Sequence, residues 1–592
     1  MLKRLIASAV LCFVASAALA APTDLEARRK ALDALLAEQW EENLKLNPEF
    51  ASILGDKRYN DKLSENTPAS IADSYRRAAD WKKRFAAIDT NGFPEQEALN
   101  KTLMVRELDQ FLANQKFKNW EMPVTQFYGI HIQAPSFVQY LSFETVKDYE
   151  DYIARLDQFP RVFDETIALM RQGMADRLMP PKILLEKVAV QAEGIAKQKA
   201  EETPFAHPFT KFPDAVPAAE QARLREKGLA AVRDKVLLSY VKFTAFVRDE
   251  YAPKGRSEPG VWALPDGAAR YAALVKSSTT TDMTPEEIHQ LGLSEVARIE
   301  GEMQKIAVRL GFKDWKALNV EIEANPELHA KSAQQIVDLY SKYIAQMNEK
   351  LPQLFGLLPK AQCIVKPIEA FREKDASGAE YNQGTPDGSR PGIVMVNTYE
   401  FAKRKTINIE TTAYHEGVPG HHMQISIAQE LPTLPPFRQQ GGNVAYVEGW
   451  ALYSEDLGGE VGFFQDPYNL YGHYMDEMLR AIRLVVDTGF HYKHWTRDQV
   501  VQFFHDHSGI DEVEVQSETD RYIAVPSQAL GYKIGQLKIR ELRERAKKEL
   551  EAKFDIKNFH DQVLGAGSLP LDVLSDRIDS WIAKEKAGTP AK

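Results

Sequence analysis

Cysteine is almost absent from this chain: Cys12 and Cys363 are the only two. Cys12 lies in an uncharged apolar run from Leu5 to about Leu19, preceded by Lys3 and Arg4 and ending in Ala18-Leu19-Ala20. That order of basic start, short apolar centre and small-residue end is the pattern of an export signal cut by signal peptidase. Removal of residues 1–20 leaves Cys363 alone, so an internal disulfide is excluded even though an oxidising compartment permits one. Leu11 before Cys12 and Ala9 three positions back make a poor lipoprotein box, and no lipid anchor is expected. The apolar run is shorter than the roughly 20 residues of a spanning helix, and no other window has such length and apolarity. The mature protein is expected to be soluble and exported, periplasmic or secreted.

Positive charge is also in short supply. The formal charge is −10, and loss of Lys3 and Arg4 with the leader takes it to −12. An acidic chain has no general affinity for nucleic acid or anionic lipid, so neither is expected as a partner. Repeats and low-complexity blocks are missing too. Stability without disulfides rests on burial, and a chain this long can bury a large core.

What is present is long charged stretches with apolar residues at three- and four-residue spacing. Leu224 to Arg248, Pro285 to Leu310 and Ser332 to Leu351 read as amphipathic helices. The fold class is mainly α. Thr284-Pro285-Glu286-Glu287 is a helix start, with a capping hydroxyl, proline in the first turn and acids at the positive end of the dipole. Tyr251 to Asp266 and Ser377 to Arg390 break the pattern, the second reading as a loop into a strand at Gly392-Ile393-Val394-Met395-Val396-Asn397. That strand is either a buried structural one or an exposed edge able to hold an extended peptide by main-chain hydrogen bonds. The mature chain divides into an N-terminal helical portion, 21–250, and a C-terminal catalytic portion, 251–592, which can also form one continuous unit.

Chemistry concentrates in Tyr414-His415-Glu416-Gly417-Val418-Pro419-Gly420-His421-His422-Met423-Gln424. In the usual zinc-binding helix, two histidines four residues apart share one face, with a glutamate between them placed to take a proton from water. Here the position four after His415 is Pro419. On a regular helix His421 points about 120° away from His415, and His422 lies about 10.5 Å further along the axis. Pro419, Gly417 and Gly420 give the means to distort the helix. A two-residue bulge brings His421 into register, making it the preferred second metal ligand; a three-residue bulge does the same for His422, its rival.

A third ligand is expected downstream in Val447-Glu448-Gly449-Trp450-Ala451-Leu452-Tyr453-Ser454-Glu455. Glu448 and Glu455 are seven apart and share a helical face among apolar residues. Burying a carboxylate there is costly unless it binds something, which makes Glu448 a ligand and Glu455 a partner behind the ligands, or else part of a solvated stripe.

These two motifs, with Arg-Leu-Val-Val-Asp-Thr-Gly-Phe-His at 483–491 and Arg-Tyr-Ile-Ala-Val-Pro-Ser-Gln-Ala-Leu-Gly-Tyr-Lys-Ile-Gly at 521–535, resemble the bacterial domain of unknown function 885 family over nearly all the mature chain. That family in turn looks like a distant relative of gluzincin metallopeptidases, the angiotensin-converting enzyme and carboxypeptidase Taq families. The wider resemblance implies a two-lobed helical fold with a deep cleft and a small β-sheet near the active-site helix, and a peptide substrate. It also implies one Zn2+ per chain held by His415, His421 and Glu448, with Glu416 as general base. Arg521-Tyr522 looks like the Arg-Tyr pair whose tyrosine stabilises the oxyanion, which nominates Tyr522, with Tyr532 as its rival. The departure is two extra residues between the histidines.

Other readings share these residues: a metal-dependent hydrolase of a non-peptide amide or ester, and a non-catalytic binding protein on a peptidase fold. Intact Glu416 counts against the latter. Asp487 and His491, spaced i, i+4, suit either a pair behind the ligands or a surface turn. His505 and His507 diverge on a helix, and Lys533 and Arg540 read as a solvated face. The choice between trimming ends and cutting internally is not encoded in any of these motifs.

Overall fold

The computed structural model describes residues 24–369, 373–385, 388 and 390–588, and the export signal expected at 1–20 lies outside the described residues. The chain is mainly α-helical with one three-stranded sheet. Residues 124–252 close around a core of their own, with Tyr149, Phe163, Phe205, Tyr240 and Phe243 at its centre. The amphipathic stretch read at Leu224 to Arg248 lies within one helical run from Ala218 to Tyr251, in which α turns alternate with π segments at Val232–Leu237 and Val247–Tyr251.

From Val261 onward, long helices pack on two further cores. Helix α1 (Pro285–Arg309) starts as its sequence dictates: Thr284 accepts from the Glu287 amide while the Glu287 carboxylate accepts from that of Thr284. Helix α2 (Ala333–Asn348) is capped by Ser332. The sheet follows, with β1 (Cys363–Pro367), β2 (Ala379–Asn382) and β3 (Gly392–Val396) in the order β1-β3-β2. Strand β3 is parallel to β1, with Ile364 opposite Ile393, and antiparallel to β2, with Tyr381 opposite Val394.

The strand visible in the sequence is therefore the central one, and Val394 and Val396 are fully buried. It is structural and has no edge to offer. Of the two outer strands that flank it, β2 lies inside the stretch that reads as a loop, because its four residues are too few for alternation to show.

The site is built on α3 (Ile409–Glu416), α4 (His421–Glu430), α5 (Val444–Glu460), α6 (Pro467–His491), α7 (Glu512–Ala524) and α8 (Leu530–Leu550). Every residue of α6 from Glu477 to His491 is buried, with α1 lying along it. Helices α5 and α8 cross in backbone contact: a Cβ on Gly449 would stand 2.4 Å from Gly535 Cα, and one on Gly535 would stand 1.8 Å from the Ala445 carbonyl oxygen. Among the described residues, no helix is long and apolar enough to cross a membrane.

Candidate metal centre

Helix α3 is broken rather than bulged. Pro419 has no amide to continue the ladder, and after Glu416 the chain makes a turn through Gly417–Gly420 in which the Val418–Pro419 bond is cis. The Gly420 amide reaches back to the Tyr414 carbonyl at 2.9 Å, and the His422 amide to that of Gly417 at 3.1 Å. A Cβ on Gly420 would lie 2.0 Å from the His415 carbonyl oxygen, so only glycine allows this fold-back. Trp450 of α5 pins the turn, its indole N–H donating to the Pro419 carbonyl at 2.8 Å. The chain then restarts as α4 with His421 as its first residue.

This geometry sets the His415 and His421 rings edge to face, centroids 4.8 Å apart. Glu448, on α5, points between them: its Oε2 is 3.3 Å from His421 Nε2 and 3.7 Å from His415 Nε2. One ligand atom from each of the three residues lies within 4.8 Å of the others. Glu448 Oε2 is buried without a hydrogen-bond partner, as is His421 Nδ1. A carboxylate oxygen orphaned between two imidazole nitrogens is costly unless a cation sits among them.

Burial opposes an imidazolium at His415, but Glu448 and Glu455 outweigh it and raise its pKa to about 9. Burial likewise opposes the Glu448 charge, and the two histidines overcome it, holding the carboxyl well below its usual range. Two imidazole nitrogens and one carboxylate are the donor set of hydrolytic zinc sites with an open fourth position, so the residues fit the metal. Glu416 closes α3 next to His415, and its carboxylate takes part in no hydrogen bond among the described residues.

Behind His415 stands Glu455, fully buried on the same face of α5 as Glu448. Its Oε1 accepts from His415 Nδ1 at 2.7 Å and its Oε2 from the Thr411 hydroxyl at 2.9 Å, with Arg480 Nη2 at 3.7 Å. Thr411 lies 3.0 Å from His473, which faces Asp456 at 3.5 Å. Arg480 and His473 were missed in the sequence. The signal was available as the polar set 473, 476, 477, 480, 483 and 487, set among apolar residues of α6.

His422 is held elsewhere. Its Nε2 donates to the Ala361 carbonyl at 3.1 Å and its Nδ1 accepts from the Tyr381 hydroxyl at 3.0 Å. Burial pushes its pKa down to about 4.

The two candidate tyrosines are also separated. Tyr522 is fully buried, its hydroxyl donating to Glu518 and accepting from Arg483 Nε at 3.1 Å. Tyr532, by contrast, stacks on His415 with centroids 6.4 Å apart and planes 13° from parallel. The Arg483 guanidinium also lies over the Tyr532 ring, 4.6 Å from its centre, and Arg521 Nη2 donates to its hydroxyl at 3.3 Å.

Asp487 and His491 are neither a pair nor a surface turn. Asp487 accepts from Tyr271 at 2.6 Å and from the Ser527 amide at 2.8 Å, and His491 joins the Val261 amide to the Tyr522 carbonyl. Lys533 is fully buried, 2.7 Å from Glu477 and 3.0 Å from Glu295, not on a solvated face. Arg540 binds Asp456. His505 and His507 pair with Glu512 and Glu300, away from the metal centre.

Two solved structures share the fold. A candidate lipoprotein from Colwellia psychrerythraea is 30% identical with a TM-score of 0.90, over 94% of this chain and 99% of that one. A candidate lipoprotein of unknown function from Shewanella oneidensis is 18% identical with a TM-score of 0.71, over 93% and 99%. No curated protein matches the chain. The family model described as bacterial protein of unknown function, DUF885, matches residues 48–578, and the chain belongs to that family.

Proposed function

We propose that the protein is a zinc-dependent peptidase, exported and working in the periplasm or outside the cell. The observation that carries this reading is the convergence of His415, His421 and Glu448 within 4.8 Å, with a buried Glu448 oxygen that no hydrogen bond satisfies. Zinc held by these three residues would supply Lewis acidity toward a water molecule and the scissile carbonyl.

The protein's own groups do the rest. Glu416, whose carboxylate takes part in no hydrogen bond among the described residues, accepts the proton of the attacking water and returns it to the departing amine. Glu455 accepts a hydrogen bond from the Nδ1–H of His415 and so fixes the ring with Nε2 on the side of Glu448. Tyr532, rather than Tyr522, has its ring against the metal-side imidazole, and its hydroxyl is the second donor for the oxyanion. The Tyr522 hydroxyl is consumed by Glu518 and Arg483.

The test is a mass-spectrometric digest of a mixed pool of unmodified peptides by wild type and Glu416→Gln in parallel, with bound zinc measured in both. Cleavage by wild type alone is expected, and the product ends will show whether termini or internal bonds are cut. Zinc bound in both with no cleavage by either would overturn the peptidase reading.

A further inference from the structure

His422 stands next to a proposed ligand yet faces away from the metal centre. Its contacts make it a two-sided strut. The Ala361 carbonyl can only accept, so His422 Nε2 carries the proton and Nδ1 is left to accept, from the Tyr381 hydroxyl at 3.0 Å and from that of Ser426, on its own helix, at 3.5 Å. One bond therefore holds the chain entering β1, and the other holds β2, so the ring ties together the two strands that flank β3. Between them β3 runs in contact with both rings: a Cβ on Gly392 would lie 2.4 Å from Tyr381 Oη and 2.6 Å from His422 Nδ1. The Tyr381 and His422 rings meet edge to face with centroids 5.6 Å apart, closing the arrangement.

The strand so held is the one beside the metal-bearing helices. Strand β2 packs against α3, which carries His415 and Glu416, and is bonded to α4 one residue after His421. Strand β2 is four residues long and pairs on one side, with β3, so the Tyr381–His422 bond adds a side-chain tie from the strand to α4.

We propose that His422 is a positioning residue that locks β2 onto the helix starting at His421, so that an extended peptide laid along that outer strand meets the metal centre in one register. The second half of this statement rests on the peptidase reading; the first does not. It also gives the adjacent histidines of the motif separate duties, His421 toward the metal and His422 toward the strand.

The experiment compares wild type with His422→Phe, Tyr381→Phe, the double variant and His422→Gln. It reads bound zinc, amide hydrogen exchange and steady-state cleavage of an unmodified peptide. The Phe variants are expected to keep wild-type zinc and unchanged exchange in α4, while the Ala379–Asn382 amides exchange about tenfold faster, the scale of one lost buried hydrogen bond. KM is expected to rise by about the same factor with kcat nearly unchanged, and the double variant to be no worse than the worse single one. His422→Gln, whose amide can donate to Ala361 and accept from Tyr381, restores both readings. Unchanged exchange in β2, or zinc lost from His422→Phe, overturns the strut. Faster exchange with unchanged KM overturns its link to substrate. Should His422→Phe fail to fold, Tyr381→Phe decides, since it deletes one hydroxyl only. A wild type that cleaves no peptide sinks the peptidase reading and the substrate half with it, while exchange and zinc still judge the strut.

Discussion

Glu455 holds the Nδ1 of His415 at 2.7 Å from two turns beyond Glu448 on the same helix. One helix face thus supplies both a proposed ligand and the group that orients another. Replacing Glu455 by Gln removes the charge that fixes the imidazole and is expected to weaken zinc binding roughly 10- to 100-fold. Competition with a chelator of known affinity checks it; zinc binding equal to wild type would refute the assignment.

Glu416→Gln should keep its metal. The side chain contributes no ligand atom to the cluster of His415, His421 and Glu448, so only proton transfer is removed. A fall in kcat of roughly 10²- to 10⁴-fold is expected, with bound zinc unchanged by elemental analysis. Loss of zinc instead would make Glu416 part of the metal site.

The two tyrosines separate by what each loss does. Tyr532→Phe is expected to lower kcat by roughly 10²- to 10³-fold with little change in thermal stability. Tyr522→Phe leaves buried Glu518 and Arg483 without a partner hydroxyl, and is expected to cost about 1–3 kcal/mol of stability. Turnover and denaturant melts of both variants decide; the reverse pattern would restore Tyr522 to the oxyanion role.

His491 gives a pH signature. Burial lowers its pKa to about 3 from an ordinary value near 6.5, so it folds neutral. Its contribution is whole above pH 6.5 and is lost as pH falls toward 3, because the unfolded chain takes up the proton first. By pH 4.5 the loss amounts to about 2–3 kcal/mol. His491→Gln lacks this term, so its deficit relative to wild type should shrink as pH drops from 7 to 4.5. Denaturant melts at both pH values measure it, and a constant deficit would show that the group does not titrate with folding.

Much of this was legible before any coordinates. Thr284 and Glu287 announced a capped helix, and Glu448 and Glu455 announced a shared face, because caps and helical periodicity are local physics. What failed was set by distant partners. Lys533 and Arg540 look like a solvated face until Glu295, Glu477 and Asp456 arrive from other helices to neutralise them. Tyr522 and Tyr532 are ten residues apart in one motif, and nothing local says which ring will lie on His415. The break at Pro419 was readable as a distortion, but its form depends on Trp450, thirty-one residues away.

The crossing of α5 and α8 at Gly449 and Gly535 has a bearing on that ring. Glu448 immediately precedes one glycine, and Tyr532 lies one turn before the other. The spacing between the helix that carries the Glu448 carboxylate and the one that carries the Tyr532 phenol is therefore gauged by two missing methyl groups, with bare backbone serving as the stop against which both helices rest. An alanine at either place would act as a shim, prising the tyrosine's helix away from the carboxylate's without altering a side chain of the candidate site.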